Sequence, residues 1–348
     1  LDLVEEKGNL AQNELIFYFK VFIRWNQMAK GESVLKEWKK PSDLFHEKEI
    51  VRICAPMVRY SKLPFRCLVR RYGCDLAYTP MIISDSFVQS IKARDSDFTT
   101  NSLDRPLIVQ FAAKCAKDLA DATEMIVPFA DGVDLNCGCP QRWAMKSGYG
   151  ACLIKNPELI EDMVKQSRQR VQDDFPVSIK IRIHDDTRRT VDMCQRAEKV
   201  GVSWITVHGR TIEQRSEPCS YETIKLIKDS VSVPVIANGD IKSEADIIDV
   251  RSKTGVNGVM AARGILTNPA MYAGYDTLPL RCLQDWLDIS LSLGISFTHF
   301  HHHLMFMLEK SLNKAERRVF NTLKSIPAVL NYIENHFGIT MTKNFENG

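Results

Sequence analysis

Residues 177–210 read VSIKIRIHDDTRRTVDMCQRAEKVGVSWITVHGR, and this stretch decides the fold. Its two ends, 177–183 and 204–208, are short runs rich in Val and Ile, the composition of strands buried on both faces of a parallel sheet. Between them, 190–200 carries apolar residues at helical spacing, so the unit is strand, helix, strand. The same alternation extends in both directions. Apolar runs fall at 50–56, 74–81, 106–112, 132–136, 233–238 and 258–262, which with the first two makes eight. Helical patterns fill 118–127, 156–170, 221–230 and 243–253, most of them beginning after a Ser, Thr, Asp or Asn cap. Residues 52–271 lie within the span, from about 200 residues upward, of an eight-stranded (β/α) TIM barrel. An open doubly wound sheet is the competing architecture, but no G-x-G-x-x-G turn follows the first strand. The α/β barrel is therefore expected over 49–279. A smaller helical domain is expected over 280–348, with helices at 280–293, 299–312 and 314–337. Residues 1–48 form an N-terminal extension to which no role is assigned.

Composition narrows the class. The chain has 348 residues, 45% of them hydrophobic, enough for one large domain and an appendage. With 46 basic and 43 acidic residues the net charge is +3, so any nucleic-acid contact must come from local patches. Ten cysteines at irregular spacing contain no C-x-x-C pair, which argues for a reducing compartment and against a zinc ribbon. The apolar stretch 15–25 contains Lys20 and Arg24 and is too short to span a bilayer. A cytoplasmic protein without a membrane segment is expected.

Barrels of this type place working residues at the C-terminal ends of their strands. Those ends read Ala55-Pro56-Met57, Gln110, Asn136-Cys137-Gly138-Cys139-Pro140, Lys180-Ile181-Arg182, His208-Gly209-Arg210, Asn238-Gly239-Asp240 and Ala262-Arg263-Gly264. Glycines after the last two strands expose backbone N–H groups, and Arg263 adds a permanent cation, so a phosphate is expected there. Gln110, Lys180 and His208 offer donors of the kind that hold the polar edge of an isoalloxazine ring. Each alone is an ordinary surface or structural residue; the set at successive strand ends is what points to a site.

At these motifs the sequence resembles the tRNA-dihydrouridine synthases. The resemblance runs from about residue 51 to 273, and more weakly to 339. It is carried by DLNCGCP at 134–140, the stretch 148–153, ITVHGRT at 205–211 and IANGD at 236–240. The wording at 54–60, 139–145 and 177–186 is most similar to the eukaryotic type-4 branch, associated with the D-loop uridines 20a and 20b. The resemblance implies FMN at the barrel mouth, NADPH or NADH as reductant, and hydrogen added across C5=C6 of an extruded uracil in the tRNA D-loop. It implies Cys139 as the acid that protonates C5; a thiol of pKa about 8.5 is largely protonated at neutral pH and can donate. Geometry read from sequence does not separate Cys139 from Cys137, and the motif match selects Cys139. Cofactor contacts are then expected from Ala55, Pro56, Met57, Gln110, Lys180, His208, Asn238, Gly239, Asp240, Ala262, Arg263 and Gly264. Substrate contacts are expected from Asn136, Arg142, Arg182 and Arg210. Ala262 departs from the family pattern, since many members have Gly before the Arg.

The cluster His299, His301, His302 and His303 sits among Phe300, Leu304 and Phe306 on an expected helix, and no metal is assigned to it. Lys310, Lys314, Arg317 and Arg318 form a basic stripe, although over 283–348 six Lys or Arg balance six Asp or Glu. An FMN-dependent reductase of free pyrimidines, and a tRNA-binding homologue without activity, are the two rival readings. Activity on free uracil or orotate would favour the first, and a colourless protein that binds tRNA the second.

Overall fold

A computed structural model describes residues 38–340. The apolar runs become nine parallel strands: β1 Val51–Cys54, β2 Leu76–Tyr78, β3 Ile82–Ile83, β4 Leu107–Ala112, β5 Gly132–Cys137, β6 Val177–Arg182, β7 Ile205–His208, β8 Val235–Asn238 and β9 Gly258–Ala261. Pairing of β1 with both β2 and β9, and of β2 with β4, closes eight of them into a barrel. The ninth, β3, lies just past the run expected at 74–81, whose strand ends at Tyr78, and it pairs with the end of β4. The run breaks at Pro80, which has no N–H to give a ladder. The Thr79 hydroxyl compensates on the neighbouring strand by accepting the Gln110 N–H at 3.1 Å.

Four of the outer helices start where side chains satisfy their free N–H groups. Asn156, Asp186, Ser220 and Ser243 cap Pro157–Gln169, Thr187–Lys199, Tyr221–Ser230 and Glu244–Thr254, each cap worth about 1 kcal/mol. Asp186 explains why the third outer helix of the expected set begins at 187 rather than 190. The barrel interior is crossed by a hydrogen bond from Trp204 Nε1, just before β7, to the Tyr78 hydroxyl on β2, at 2.9 Å. Phe45, on helix Pro41–Glu47, lays its ring 5.3 Å from that of Trp204. Part of the segment before residue 49 thus packs into the barrel core. Tyr78→Phe leaves the buried indole N–H unpaired, and about 1–3 kcal/mol of stability is expected to go with it. Urea unfolding checks this; an unmoved midpoint would show that the bond contributes nothing.

Helix Leu280–Ser292 packs against the first barrel helix, Leu63–Arg71. Tyr72 donates to Asp285 at 2.8 Å, and Trp286 is wholly buried. Phe297–Met307 follows. The single helix expected at 314–337 is two, Lys314–Asn321 and Ile326–Phe337, because Ser325 caps a new start and Pro327 fits only a first turn. The histidine cluster makes joints. His303 Nε2 donates to the Tyr60 carbonyl at 3.1 Å, between the rings of Phe65 and Trp286, and burial drives its pKa down to about 3. His301 bonds the Phe320 carbonyl at 2.9 Å. Among the described residues no helix is long and apolar enough to cross a membrane; the stretch 15–25 lies outside them, as do residues 341–348.

Candidate active site at the barrel mouth

The loop after β5 is built by its own asparagine. Asn136 Oδ1 accepts the backbone N–H groups of Gly138 at 3.0 Å and Cys139 at 2.9 Å, while Asn136 Nδ2 donates to Gln110 Oε1 at 2.8 Å. Gln110 Nε2 donates in turn to Asp134 at 2.8 Å, and Ser178 donates to the other Asp134 oxygen at 2.6 Å. From the far side the Cys139 carbonyl accepts the Ala151 N–H at 3.0 Å. A Cβ on Gly150, whose φ is +71°, would stand 2.9 Å from Cys139 Cβ, so only glycine fits behind the cysteine. Cys139 is half-buried, whereas Cys137 is sealed in β5 and burial pushes its thiol pKa well up. The geometry thus separates two cysteines that spacing left equivalent.

Lys180, on β6, lies within electrostatic reach of Asp134, Arg182 and Cys139, and burial pulls its pKa down to about 8. Burial, reinforced by Lys180 and three arginines, takes His208 down to about 2, so the imidazole is neutral. Its Nε2 faces Arg210 at 3.2 Å and must accept, which leaves the ring proton on Nδ1. The expected substrate residues Arg182 and Arg210 are buried staples. Arg182 bonds the carbonyls of Gly138, Thr211 and Gln214, while Arg210 grips both oxygens of Asp240 at 2.6 Å. The Asp240 carboxylate also accepts the Cys219 N–H at 3.1 Å, and its backbone has φ +57°.

The glycine turns after β8 and β9 stand together at the barrel mouth, where their sequence leads one to expect a phosphate. A cleft with about 390 Å³ of empty space is lined by His208, Asn238, Gly239, Lys242, Arg263 and Gly264. A Cβ on Gly264 would fall 2.3 Å from the Ile241 carbonyl oxygen, and Gly239 has φ +122°. Arg263 is exposed and only loosely drawn to Asp240, at 3.9 Å, so its guanidinium is available to an anion. Ala262 has φ −117°, a conformation that needs no glycine, so the departure from the family pattern leaves the turn intact. Ala55 is pinned to β9 through Ala261, and the Met57 N–H is taken by Ser61; Pro56 lies between them, half-buried.

The dihydrouridine synthase (Dus) family model matches residues 53–346. The chain belongs to the dihydrouridine synthase family. A mouse relative named as a tRNA-dihydrouridine(20a/20b) synthase-like protein is 60% identical over 308 residues, covering 88% of this chain and 95% of its own. Its human counterpart is 59% identical over 309 residues, covering 88% and 98%. A Schizosaccharomyces pombe tRNA-dihydrouridine(20a/20b) synthase is 40% identical over 304 residues, covering 87% and 93%.

Sequence reading of this dihydrouridine synthase family member missed groups that only the fold assembles. Tyr149 donates to Asp85 at 2.9 Å and Lys114 pairs with the same carboxylate at 2.8 Å, tying the segment behind Cys139 to the end of β4. Arg142 is exposed at the start of helix Arg142–Lys146, and beside it Trp143 is also exposed, its indole N–H held by Gln141 at 2.6 Å. A second groove, with about 880 Å³ of empty space, shares Lys242, Arg263 and Gly264 with the cleft and runs on to Lys310 and Arg317. Two members of the basic stripe thus meet the cleft, although Lys310 lies before helix Lys314–Asn321 and the stripe is not one helical face.

Proposed function

We propose that this chain reduces D-loop uridines of tRNA, at positions 20a and 20b, with FMN as its bound flavin and NADPH or NADH as reductant. The observation that carries the reading is convergence. One barrel mouth holds a phosphate cradle, a lysine and a neutral histidine at successive strand ends, and a cysteine on a braced loop. The names of the 59–60% identical relatives support the same substrate.

The residues present fit FMN. The glycine turns and Arg263 suit its phosphate, and Lys180 suits the polar edge of its ring. When bound, FMN supplies the hydride that reduces C6 of the uracil. The protein's own part is positioning and proton transfer. The barrel mouth receives a base unstacked from its loop, which favours single-stranded positions. Cys139 gives its thiol proton to C5, and Asn136 keeps its backbone in place. Arg142 and Trp143, exposed close after the Cys139 loop, suit contact with neighbouring nucleotides, and the groove through Lys242, Lys310 and Arg317 suits backbone phosphates, giving the helices after 280 a role in tRNA contact.

Lys180 carries its charge only below about pH 8. If that cation is used at the flavin, reduction of the bound flavin by NADPH, a step that needs no thiol proton, slows as pH rises through this value, and Lys180→Gln loses the dependence. A pH–rate profile level up to about pH 10, the ordinary lysine range, would exclude the role. The function itself is tested by mass-spectrometric mapping of unmodified tRNA after incubation with protein, FMN and NADPH. Two hydrogens gained at a D-loop uridine are expected. Flavin bound with no gain on any tRNA would transfer the assignment to a reductase of free pyrimidines, and tRNA bound without flavin to an inactive homologue.

A further inference from the structure

Asp134 touches neither the cleft nor the Cys139 loop, yet it dictates the loop's hydrogen bonding. A carboxylate only accepts. Because it accepts from Gln110 Nε2 at 2.8 Å, the opposite end of that amide, Oε1, faces Asn136 and must receive its Nδ2–H, also at 2.8 Å. Asn136 is then left presenting Oδ1, and only that atom can take the N–H groups of Gly138 and Cys139. If either amide flipped, two N–H donors or two oxygens would meet inside the barrel, where all three residues are buried.

We propose that Asp134 is a positioning residue that fixes the polarity of the Gln110 and Asn136 amides, and through them the backbone that carries Cys139. Ser178 holds the other carboxylate oxygen, and Lys180, the buried Tyr78 and Cys137 lie within its electrostatic reach. Burial lifts Asp134 to about 6, so at neutral pH it is still the acceptor that the relay requires. The importance of the loop for turnover rests on the proposed role of Cys139; the relay itself does not.

The test reverses the relay in the full-length protein. Asn136→Asp places acceptors at both ends of Gln110. At about pH 8, where Asp134 is ionised, kcat on tRNA is expected to fall at least tenfold, and amide exchange in the peptide containing Gly138 and Cys139 to quicken at least tenfold. Adding Asp134→Asn restores one donor and one acceptor with the polarity reversed and the buried charge conserved. The double variant is expected to recover the exchange rate to within about threefold of the parent and to raise kcat above that of Asn136→Asp, a coupling that independent structural losses would not produce. A double variant no better than Asn136→Asp overturns the proposal. Should Asn136→Asp not fold, Gln110→Met removes the middle of the relay and is expected to quicken the same exchange, while an unchanged rate overturns it. Exchange needs no tRNA, so a parent protein inactive on tRNA would sink the functional reading and leave the relay still measured.

Discussion

Cys139→Ser is expected to keep the flavin bound and to slow dihydrouridine formation by about 10²–10⁴-fold, the usual contribution of a positioned general acid. The substitution is nearly isosteric, and what holds residue 139 is backbone: its N–H on Asn136, its carbonyl on Ala151, and Gly150 pressed behind it. The loop therefore survives the change, while the group offered to C5 becomes a hydroxyl, a far weaker acid than a thiol. Cys137 cannot take over. It is sealed in β5 with its thiol pKa pushed well up, so Cys137→Ser at most perturbs stability. Single-turnover reduction of tRNA by pre-reduced protein isolates the step. Wild-type rates in Cys139→Ser would assign the proton to another donor, with Lys180, charged below about pH 8, the next to examine.

The barrel was legible because each of its buried strands is a short apolar run bounded by caps and glycines, a signal contained within a few residues. Two of the misreadings in the chain turn on proline. Pro80 ends the second strand at Tyr78, before the expected 81, and Pro327 restarts a helix after Ser325; each was visible in the sequence and outweighed by the apolar pattern around it. The site divides differently. That Gly239, Arg263 and Gly264 line one cleft was readable because turns at neighbouring strand ends that approach closely are written locally as glycine. Arg182 and Arg210 were read as substrate contacts because sequence shows a charge but not its partner. Asp240 stands thirty residues from Arg210, and only closure of the barrel brings them together. The same holds for Asp85 with Tyr149, and for Asp134, which sat inside the most specific motif with no visible task.

Gly264→Ala is expected to cost both stability and flavin. The methyl would sit 2.3 Å from the Ile241 carbonyl oxygen and 2.8 Å from Lys242 Cα. Both are backbone atoms, so no side chain can swing aside, and either the turn after β8 or helix Arg263–Thr267 has to shift. Forcing extra volume into a packed site costs about 1–3 kcal/mol, sometimes more. Here the displaced segments are the two walls of the cleft, so the strain is relieved at the expense of the proposed phosphate site. Flavin retention is expected to weaken at least tenfold, read from the visible absorbance of protein dialysed against flavin-free buffer. Gly294→Ala separates the two effects. That glycine has φ +66° but open space around its Cβ position, and it lies in the turn after helix Leu280–Ser292. Its alanine variant bears only the left-handed backbone penalty, of roughly 1–2 kcal/mol, and should keep its flavin. If Gly264→Ala retained flavin and melting temperature as the parent does, the cradle would have enough slack to admit a side chain, and the close approach of the two turns would not be what holds the phosphate.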